Sequence, residues 1–320
     1  MATISLREYH SNIESWLRQD YTDRVIAHSR HILQYYPKNA DTYRYLGQAL
    51  VLTSQSKEAG KVLRRLLGVF PDDYDAHVGL YQIYTNTGEN EAALWHLERA
   101  FELNPNNTEL AGVLRQGYKQ VMGVDVKKIP LTAGAAARQF RDSGLFNQAI
   151  STLRDALNRD TNREDLRLLL AQTYWQAGRP RDGAEAAFSV LERLPDCFDA
   201  NRIMTELWLN EDRPADATPY LISMEQVDPY LAMEIVSGET PDDDAFSLEE
   251  LDYRRVAEQS LIVDNASFLG LGDDVAFGEE TLASANDIAG ATDFFASEVP
   301  DDWMDELGEI QETGEEQTVA

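Results

Sequence analysis

Prolines recur along this chain in two series with a fixed spacing of 34 residues. Only 11 of the 320 residues are prolines, so this regularity indicates an internal repeat. The same spacing predicts an equivalent position at Thr161, which lies in a polar, loop-like run. The prolines of the two series are Pro37, Pro71 and Pro105, then Pro195 and Pro229. A fixed period constrains the fold strongly, because each repeat must form the same unit and pack against its neighbours.

The sequence pattern of each repeat predicts two helices, called A and B, joined by a short turn. Gly88, Gly144 and Gly178 follow the predicted helices A, where glycine adopts a left-handed conformation at low cost. Proline in a polar loop then ends helix B. The second unit matches the pattern Trp-x2-Leu-Gly-x2-Tyr, Ala-x3-Phe, Pro at Tyr43, Leu46, Gly47, Leu50, Ala59, Leu63, Leu66 and Pro71.

This pattern resembles the tetratricopeptide repeat, in particular bacterial proteins of that type with an acidic tail. The resemblance implies an all-α fold, an α-solenoid that coils as a right-handed superhelix of about six helix-turn-helix units. The first and last units depart most from the pattern, as terminal repeats do when one face meets water. Both keep an aromatic residue at the end of helix A, Trp16 and Trp208.

One interruption divides the repeats. Pro105 and Thr161 lie 56 residues apart, so about 22 extra residues separate the third unit from the fourth. The apolar spacing at 107–122 predicts an additional helix there. We expect residues 1–123 to hold three units and a capping helix, 124–130 a linker, and 131–237 three further units. The alternative is a longer helix within one continuous superhelix.

Negative charge is concentrated at the C-terminal end. Residues 238–320 contain 24 Asp and Glu but only Arg254 and Arg255, so they carry −22 of the formal charge of −28. Such a segment buries too little apolar surface to offset the entropy of ordering, which predicts a mostly disordered tail. Nucleic acid binding needs the opposite charge, so a basic protein is the better candidate partner for this tail.

A short helix is predicted near 301–311 within this tail. Proline and aspartates precede it and Gly308 follows it, as at capped helix ends. Residues 300–308 resemble acidic tails of some bacterial repeat proteins. The apolar side chains Trp303, Met304, Leu307 and Ile310 form a candidate docking motif. The alternative is a solubilising tail with incidental apolar residues.

Motifs for catalysis, cofactors or metals are missing from the sequence. There is no phosphate loop, GxGxxG fingerprint, GxSxG elbow, HExxH helix or EF-hand loop, which predicts that the protein is not an enzyme and has no cofactor. His28 and His31 are spaced for a shared helix face, but a solvated or edge pair is a better interpretation than a metal site. His77 falls at a core position of the repeat.

The candidate partner-binding residues lie at the helix A positions that line the concave face of the family. They are Arg44, Gln48, Gln82, Arg138, Arg141, Gln172, Trp175 and Arg202. Arginine binds carboxylates and amides bind an extended backbone, so an acidic or C-terminal peptide is the predicted ligand. The alternative is a solvated surface. The two-carboxylate clamp of Lys and Asn that binds chaperone tails in some family members is not matched here.

These features predict an adaptor or assembly scaffold that binds partner proteins. A chaperone-like acidic holder of basic clients is the alternative. The N-terminus has no basic-then-apolar leader, no membrane-spanning stretch occurs, and Cys197 is the single cysteine, so a cytoplasmic protein without membrane contact is expected. We also consider that the acidic tail folds back on the concave arginines and competes with a partner.

Overall fold

The computed structural model describes residues 3–253, which form stacked helical hairpins. The twelve helices of the hairpins are α1 Leu6–Arg18, α2 Thr22–Tyr35, α3 Ala40–Leu52, α4 Ser56–Val69, α5 Tyr74–Thr87, α6 Asn90–Leu103, α8 Ala133–Asp142, α9 Phe146–Arg159, α10 Glu164–Gln176, α11 Pro180–Leu191, α12 Phe198–Asn210 and α13 Pro214–Val227. Two further helices, α7 Thr108–Val121 and α14 Pro229–Ser237, follow the third and sixth hairpins. Two short strands are β1 Thr3–Ser5 and β2 Ser247–Glu249. This architecture confirms the predicted all-α solenoid.

Backbone conformation shows the repeat register independently of side-chain type. One residue in the turn after each helix A has a positive φ, between 59° and 81°. Where the sequence has no glycine at this position, Asp20, Ser54 and Asp212 take the left-handed conformation instead. The six positions are Asp20, Ser54, Gly88, Gly144, Gly178 and Asp212. Their spacing is 34 residues within each half and 56 residues across the interruption, the same register that the prolines define.

Side-chain caps start several of the helices. Asn39, Asp73 and Thr132 precede α3, α5 and α8, and their side chains accept hydrogen bonds from backbone N–H groups in the first turn. Such a bond satisfies a donor that the helix itself leaves free, and is worth about 1 kcal/mol. The caps fix the residue at which each of these three helices begins, and therefore which of its residues face outward.

The apolar positions of the repeat pattern form the core. In the second hairpin Leu46, Leu50, Ala59, Leu63 and Leu66 are all at most 1% exposed. These residues occur at helical spacing on the facing sides of α3 and α4, so each hairpin buries one side against itself. The other sides pack on the next hairpin, as the family pattern predicts.

The extra helix α7 packs on α6. Leu114 and Tyr118 are buried with Leu94, Leu97 and Phe101 in one apolar cluster. The Tyr118 hydroxyl donates to Glu98 over 2.7 Å, which ties α7 to the preceding hairpin. Helix α8 also contacts α6, so the third and fourth hairpins meet although residues 104–132 separate them in sequence.

The first and second halves of the solenoid pack against each other. Phe198 at the start of α12 lies against Phe70 after α4, with ring centroids 5.7 Å apart. Lys38 forms an ion pair with Asp196, and Asn39 donates to the Val227 carbonyl. Phe198, Met224, Val227 and Tyr230 belong to the same apolar cluster as the core of the first three hairpins. The two halves therefore share a core.

Residues 239–253, here called the strap, follow α14 and pack on the first hairpin. Strand β2 pairs with β1 in antiparallel register, with Ile4 opposite Leu248. The sequence predicts an acidic tail from residue 238, but Leu248 is buried and Phe246 packs on the core. These apolar side chains give this first part of the acidic segment enough buried surface to order it. In the part of the chain that the structure describes, no helix is long and apolar enough to cross a bilayer.

Candidate functional site

All eight predicted partner-binding residues lie on helices A. Their exposure differs: Gln82 on α5 is exposed, whereas Gln48 on α3 and Trp175 on α10 are half-buried. Because every helix A begins from an equivalent loop, these side chains occupy corresponding places in successive hairpins. The electrostatic surroundings of the four arginines decide what this surface can bind.

Arg44 on α3 is held by carboxylates of this chain. Its Nη2 and Nε lie 2.6 Å and 3.0 Å from one oxygen of Asp73, and its Nη1 lies 2.5 Å from Asp41. Burial alone would lower the pKa of the Arg44 guanidinium, but Asp73 and Asp41 outweigh it and raise that pKa. The other oxygen of Asp73 caps α5 by accepting from the Ala76 N–H. Asp73 therefore joins the second hairpin to the third.

A chain of polar contacts crosses three successive helices A in the second half. Arg141 on α8 donates to the Gln172 side-chain oxygen over 3.3 Å, and the Gln172 amide donates to Asp199 over 2.9 Å. Asp199 also pairs with Arg202 on the same helix, α12, at 3.1 Å. Three of the predicted residues are thus brought together through Asp199. The side chain of Arg202 is 40% exposed, more than the side chains of the other three arginines.

Arg138 lies between the two halves of the solenoid. Its Nη2 is 3.6 Å from an oxygen of Asp72, which lies in the loop before α5. Burial raises the pKa of Asp72, and the positive charge of Arg138 opposes this shift. Only 13% of the Arg138 side chain is exposed. This arginine stabilises the contact between the halves and offers little surface to a ligand.

The acidic partners of these arginines were not identified from the sequence. Asp41 and Arg44 are three residues apart, as are Asp199 and Arg202, which is the spacing of neighbours on one helix face. That spacing was the available signal. The pairs with Asp72 and Asp73 lack such a signal, because the partners lie 29 or more residues away in sequence.

A match to a known protein family covers part of this helix A surface. Residues 140–207, which span the end of α8, all of α9 to α11 and most of α12, match a sequence model described as Tetratricopeptide repeat. This range carries tetratricopeptide repeats. The matched range includes four of the eight candidate residues, Arg141, Gln172, Trp175 and Arg202. The same 34-residue register extends the repeats to the hairpins on both sides of the matched range.

Solved structures of low sequence identity also align with this repeat protein. A chain of the APC/C hetero-tetramer Cut9-Hcn1 is 15% identical, over 73% of this chain and 49% of its own length, with a TM-score of 0.35. The repeat protein thus spans about half the length of that relative. The pilF protein of Pseudomonas aeruginosa is 14% identical over 72% of this chain and 96% of its own, with a TM-score of 0.33.

A tetratricopeptide repeat protein from Parabacteroides merdae ATCC 43184 is 14% identical over 72% of this chain and 97% of its own, with a TM-score of 0.35. No curated protein sequence matches the chain.

His28 and His31, whose spacing is compatible with a pair of metal ligands, form hydrogen bonds within this repeat protein. His28 is buried in the first repeat, where its Nδ1 and the Tyr9 hydroxyl are hydrogen-bonded over 2.7 Å. His31 donates from Nε2 to the Glu249 carbonyl of the strap over 2.7 Å. Within residues 3–253 no group of three or more His, Cys, Asp or Glu side chains is arranged to hold a metal ion.

His77 and Cys197 lie in the core of the repeats. His77 is 2% exposed and contacts His96, and Cys197 is fully buried at the start of α12. Burial raises the pKa of the Cys197 thiol well above its usual range, so the reactive thiolate is disfavoured. The predicted docking motif, Trp303, Met304, Leu307 and Ile310, lies outside the described residues.

Proposed function

We propose that this repeat protein is an adaptor or assembly scaffold, and not an enzyme, that binds an extended peptide of a partner protein along its helices A. The observation that carries the proposal is the polar chain from Arg141 through Gln172 and Asp199 to Arg202. It presents alternating donors and acceptors across three helices, which suits an extended peptide backbone. Tetratricopeptide repeats form protein-binding scaffolds, which supports this class of function.

The carboxylates of this chain that pair with the helix A arginines limit where a ligand carboxylate can bind. Arg44 and Arg138 already pair with acidic residues of this chain, so a ligand carboxylate would have to displace Asp73 or Asp72 from them. Arg202 is more exposed and holds one carboxylate by a single contact of 3.1 Å. We therefore propose that a peptide carboxylate binds Arg202, while Trp175 on the neighbouring helix offers its ring to an apolar side chain.

A peptide library with free C-termini, selected against the full-length protein, tests this proposal. The selected peptide should bind Arg202→Ala about 10-fold more weakly, because a hydrogen bond to a charged group is worth about 1.5–3 kcal/mol. Arg181→Ala, which removes an exposed arginine from the helix B surface of α11, is the matched control and should bind as the native protein does. Equal binding by all three proteins would place the peptide elsewhere.

A chaperone-like holder of basic proteins is the second candidate, and the formal charge of −28 favours it. A holder would bind many cationic proteins with strong salt dependence, whereas an adaptor would retain one partner at moderate salt. Binding measured at two salt concentrations separates them. We place either activity in the cytoplasm, because a chain with one cysteine is suited to a reducing compartment.

We also propose that the acidic tail masks the helix A arginines, and that the masking segment begins after the strap. The described part of the tail lies on the first hairpin, where Asp243 pairs with Arg7 at 2.8 Å. A deletion that tests masking should therefore remove residues 254–320 and keep the strap. If those residues mask the arginines, the deletion increases affinity for the selected peptide, with a smaller gain at high salt. Unchanged affinity would contradict masking.

A further inference from the structure

The strap is held on the first hairpin mainly through its backbone. Besides the β1–β2 pairing, the Leu251 N–H donates to the Tyr9 hydroxyl over 3.1 Å, and His31 donates to the Glu249 carbonyl. Backbone recognition of this kind does not depend on the side chains of the bound segment. Proteins that bind extended peptides by adding a strand use the same chemistry.

On the first hairpin, two side chains of the strap supply specificity, while Phe246 packs on Tyr230 of α14. Leu248 is 4% exposed and joins the apolar core of the first repeats. Tyr253 stacks on His28, with ring centroids 5.6 Å apart and planes 27° apart, and Arg24 lies 5.9 Å from the same ring. The bound segment is thus recognised by an apolar side chain and, five residues later, by an aromatic ring.

The surface under the strap belongs to β1 and to the first of the described hairpins, α1 and α2. We call the covered surface the first-hairpin groove, defined by residues 3–5 with Tyr9, Arg24, His28 and His31.

Few side chains of the strap are buried, although its backbone carbonyls accept hydrogen bonds from Arg7, Tyr230 and Leu6. Of its residues, Pro241 and Leu248 are buried, whereas residues 242–245 are exposed, as are Ser247, Glu249 and Asp252. Segments with few buried apolar contacts open locally at a free energy well below that of global unfolding. Local opening of the strap would therefore expose the groove without unfolding of the solenoid.

We propose that the first-hairpin groove is a second binding site, for an extended segment of a partner protein, and that the strap is its resident internal ligand. The partner segment has the chemistry of the strap: it pairs antiparallel with residues 3–5, carries an apolar side chain at the Leu248 position and an aromatic ring at the Tyr253 position. This site lies apart from Arg202 and is independent of the function proposed for the helices A. The strap lowers the apparent affinity of the groove, because a tethered segment competes at an effective concentration of the order of millimolar.

The experiment uses full-length protein and a fluorescein-labelled peptide with the sequence of residues 245–253. Leu248→Asp in the protein removes the strap from the groove, because a buried carboxylate costs several kcal/mol, and leaves every groove residue in place. Ser247→Asp, at the exposed neighbouring position, is the matched control. We expect the peptide to bind Leu248→Asp at least 10-fold more tightly than it binds the native protein or Ser247→Asp.

Two further variants locate the binding. His31→Ala, added to Leu248→Asp, removes the donor to the Glu249 carbonyl and should weaken peptide binding about 5-fold. A peptide that itself carries Leu248→Asp should not bind. Equal binding to native and opened protein, no binding to the opened protein, or no effect of His31→Ala would each overturn the proposal.

Far-UV circular dichroism checks that the opened variant keeps its helices. If Leu248→Asp loses helical signal, Tyr253→Ala opens the other end of the strap and takes its place in the same titration. Hydrogen exchange of the native protein gives an independent result. Amides of residues 3–5 and 247–251 should exchange at least 10-fold faster than those of α3, and equally slow exchange would overturn the proposal.

Discussion

Arg163 at the start of α10 and Glu102 in α6 form a buried ion pair, with 2.5 Å between Nη2 and Oε2. The two residues are 61 positions apart in sequence, and their side chains are 4% and 1% exposed. Arg163 also pairs with Asp165, and Arg99 pairs with Glu102. Burial raises the pKa of Glu102, but Arg163 and Arg99 outweigh it and lower that pKa. This cluster joins the first half of the solenoid to the second.

Removal of the Glu102 carboxylate should destabilise the protein strongly. Glu102→Ala leaves Arg163 and Arg99 buried with fewer carboxylates, and breaking a buried pair costs about 3–5 kcal/mol. Urea denaturation followed by circular dichroism measures the loss. Asp182→Ala is the control, because the Arg179–Asp182 pair is almost half exposed on both sides and should cost less than about 1 kcal/mol. Similar losses in both variants would contradict a special role for the buried cluster.

Glycine 134 in α8 should not tolerate alanine. A Cβ at Gly134 would lie 2.9 Å from a Glu102 oxygen and 3.0 Å from Leu166, so the buried ion pair would have to shift. Gly112 in α7 has no neighbouring atom within 4 Å of such a Cβ. Gly112→Ala should therefore stabilise the protein by about 0.5–1 kcal/mol through helix propensity, whereas Gly134→Ala should destabilise it.

Thermal and urea denaturation of the two glycine variants measure the difference in sign. A gain in stability for Gly134→Ala would show that α8 can move away from α6 at little cost, contrary to a tightly packed junction.

Acid should destabilise the protein through its buried histidines. His77 donates from Nε2 to the Pro71 carbonyl over 3.2 Å, so its Nδ1 accepts from His96 over 2.9 Å and both rings are neutral. Burial lowers the pKa of His77 from 6.5 to about 4, and lowers that of His96 as well. The unfolded chain binds protons first as pH falls, so stability is full above pH 6.5 and decreases towards pH 4.

His77 should contribute about 2 kcal/mol of lost stability between pH 7 and pH 5, and His96 should add to the loss in the same direction. Urea denaturation at both pH values measures this loss. His77→Phe keeps an aromatic ring of similar size without the titrating group, and should reduce the pH dependence even if it lowers stability at pH 7. An unchanged pH dependence in His77→Phe would contradict the assignment.

Asp73 combines a helix cap with an ion pair, and two substitutions separate these roles. Asp73→Asn keeps an oxygen that accepts from the Ala76 N–H but loses the charge that pairs with Arg44. Asp73→Ala loses both. We expect Asp73→Ala to be less stable than Asp73→Asn by about 1 kcal/mol, the value of a cap. Equal stability of the two variants in urea denaturation would assign the whole effect to the ion pair.

The sequence by itself determines the repeat and its register. Prolines and turn residues recur every 34 positions, and helix periodicity places Leu46, Leu63 and Leu80 in the core. These features depend on local backbone preferences and on contacts between neighbouring hairpins. Both require similar residue types at equivalent positions of each repeat, so both are visible as a period in the sequence. The candidate helix A residues follow from the same register.

Only the tertiary structure decides how the repeats are joined. The Arg163–Glu102 pair, the contact between Phe70 and Phe198, and the position of the strap on the first hairpin link residues 61 to 242 positions apart. Such contacts occur once in the chain, so no periodic pattern reports them. They also alter the electrostatics of the candidate helix A surface, because carboxylates that folding brings beside the arginines compensate their positive charge.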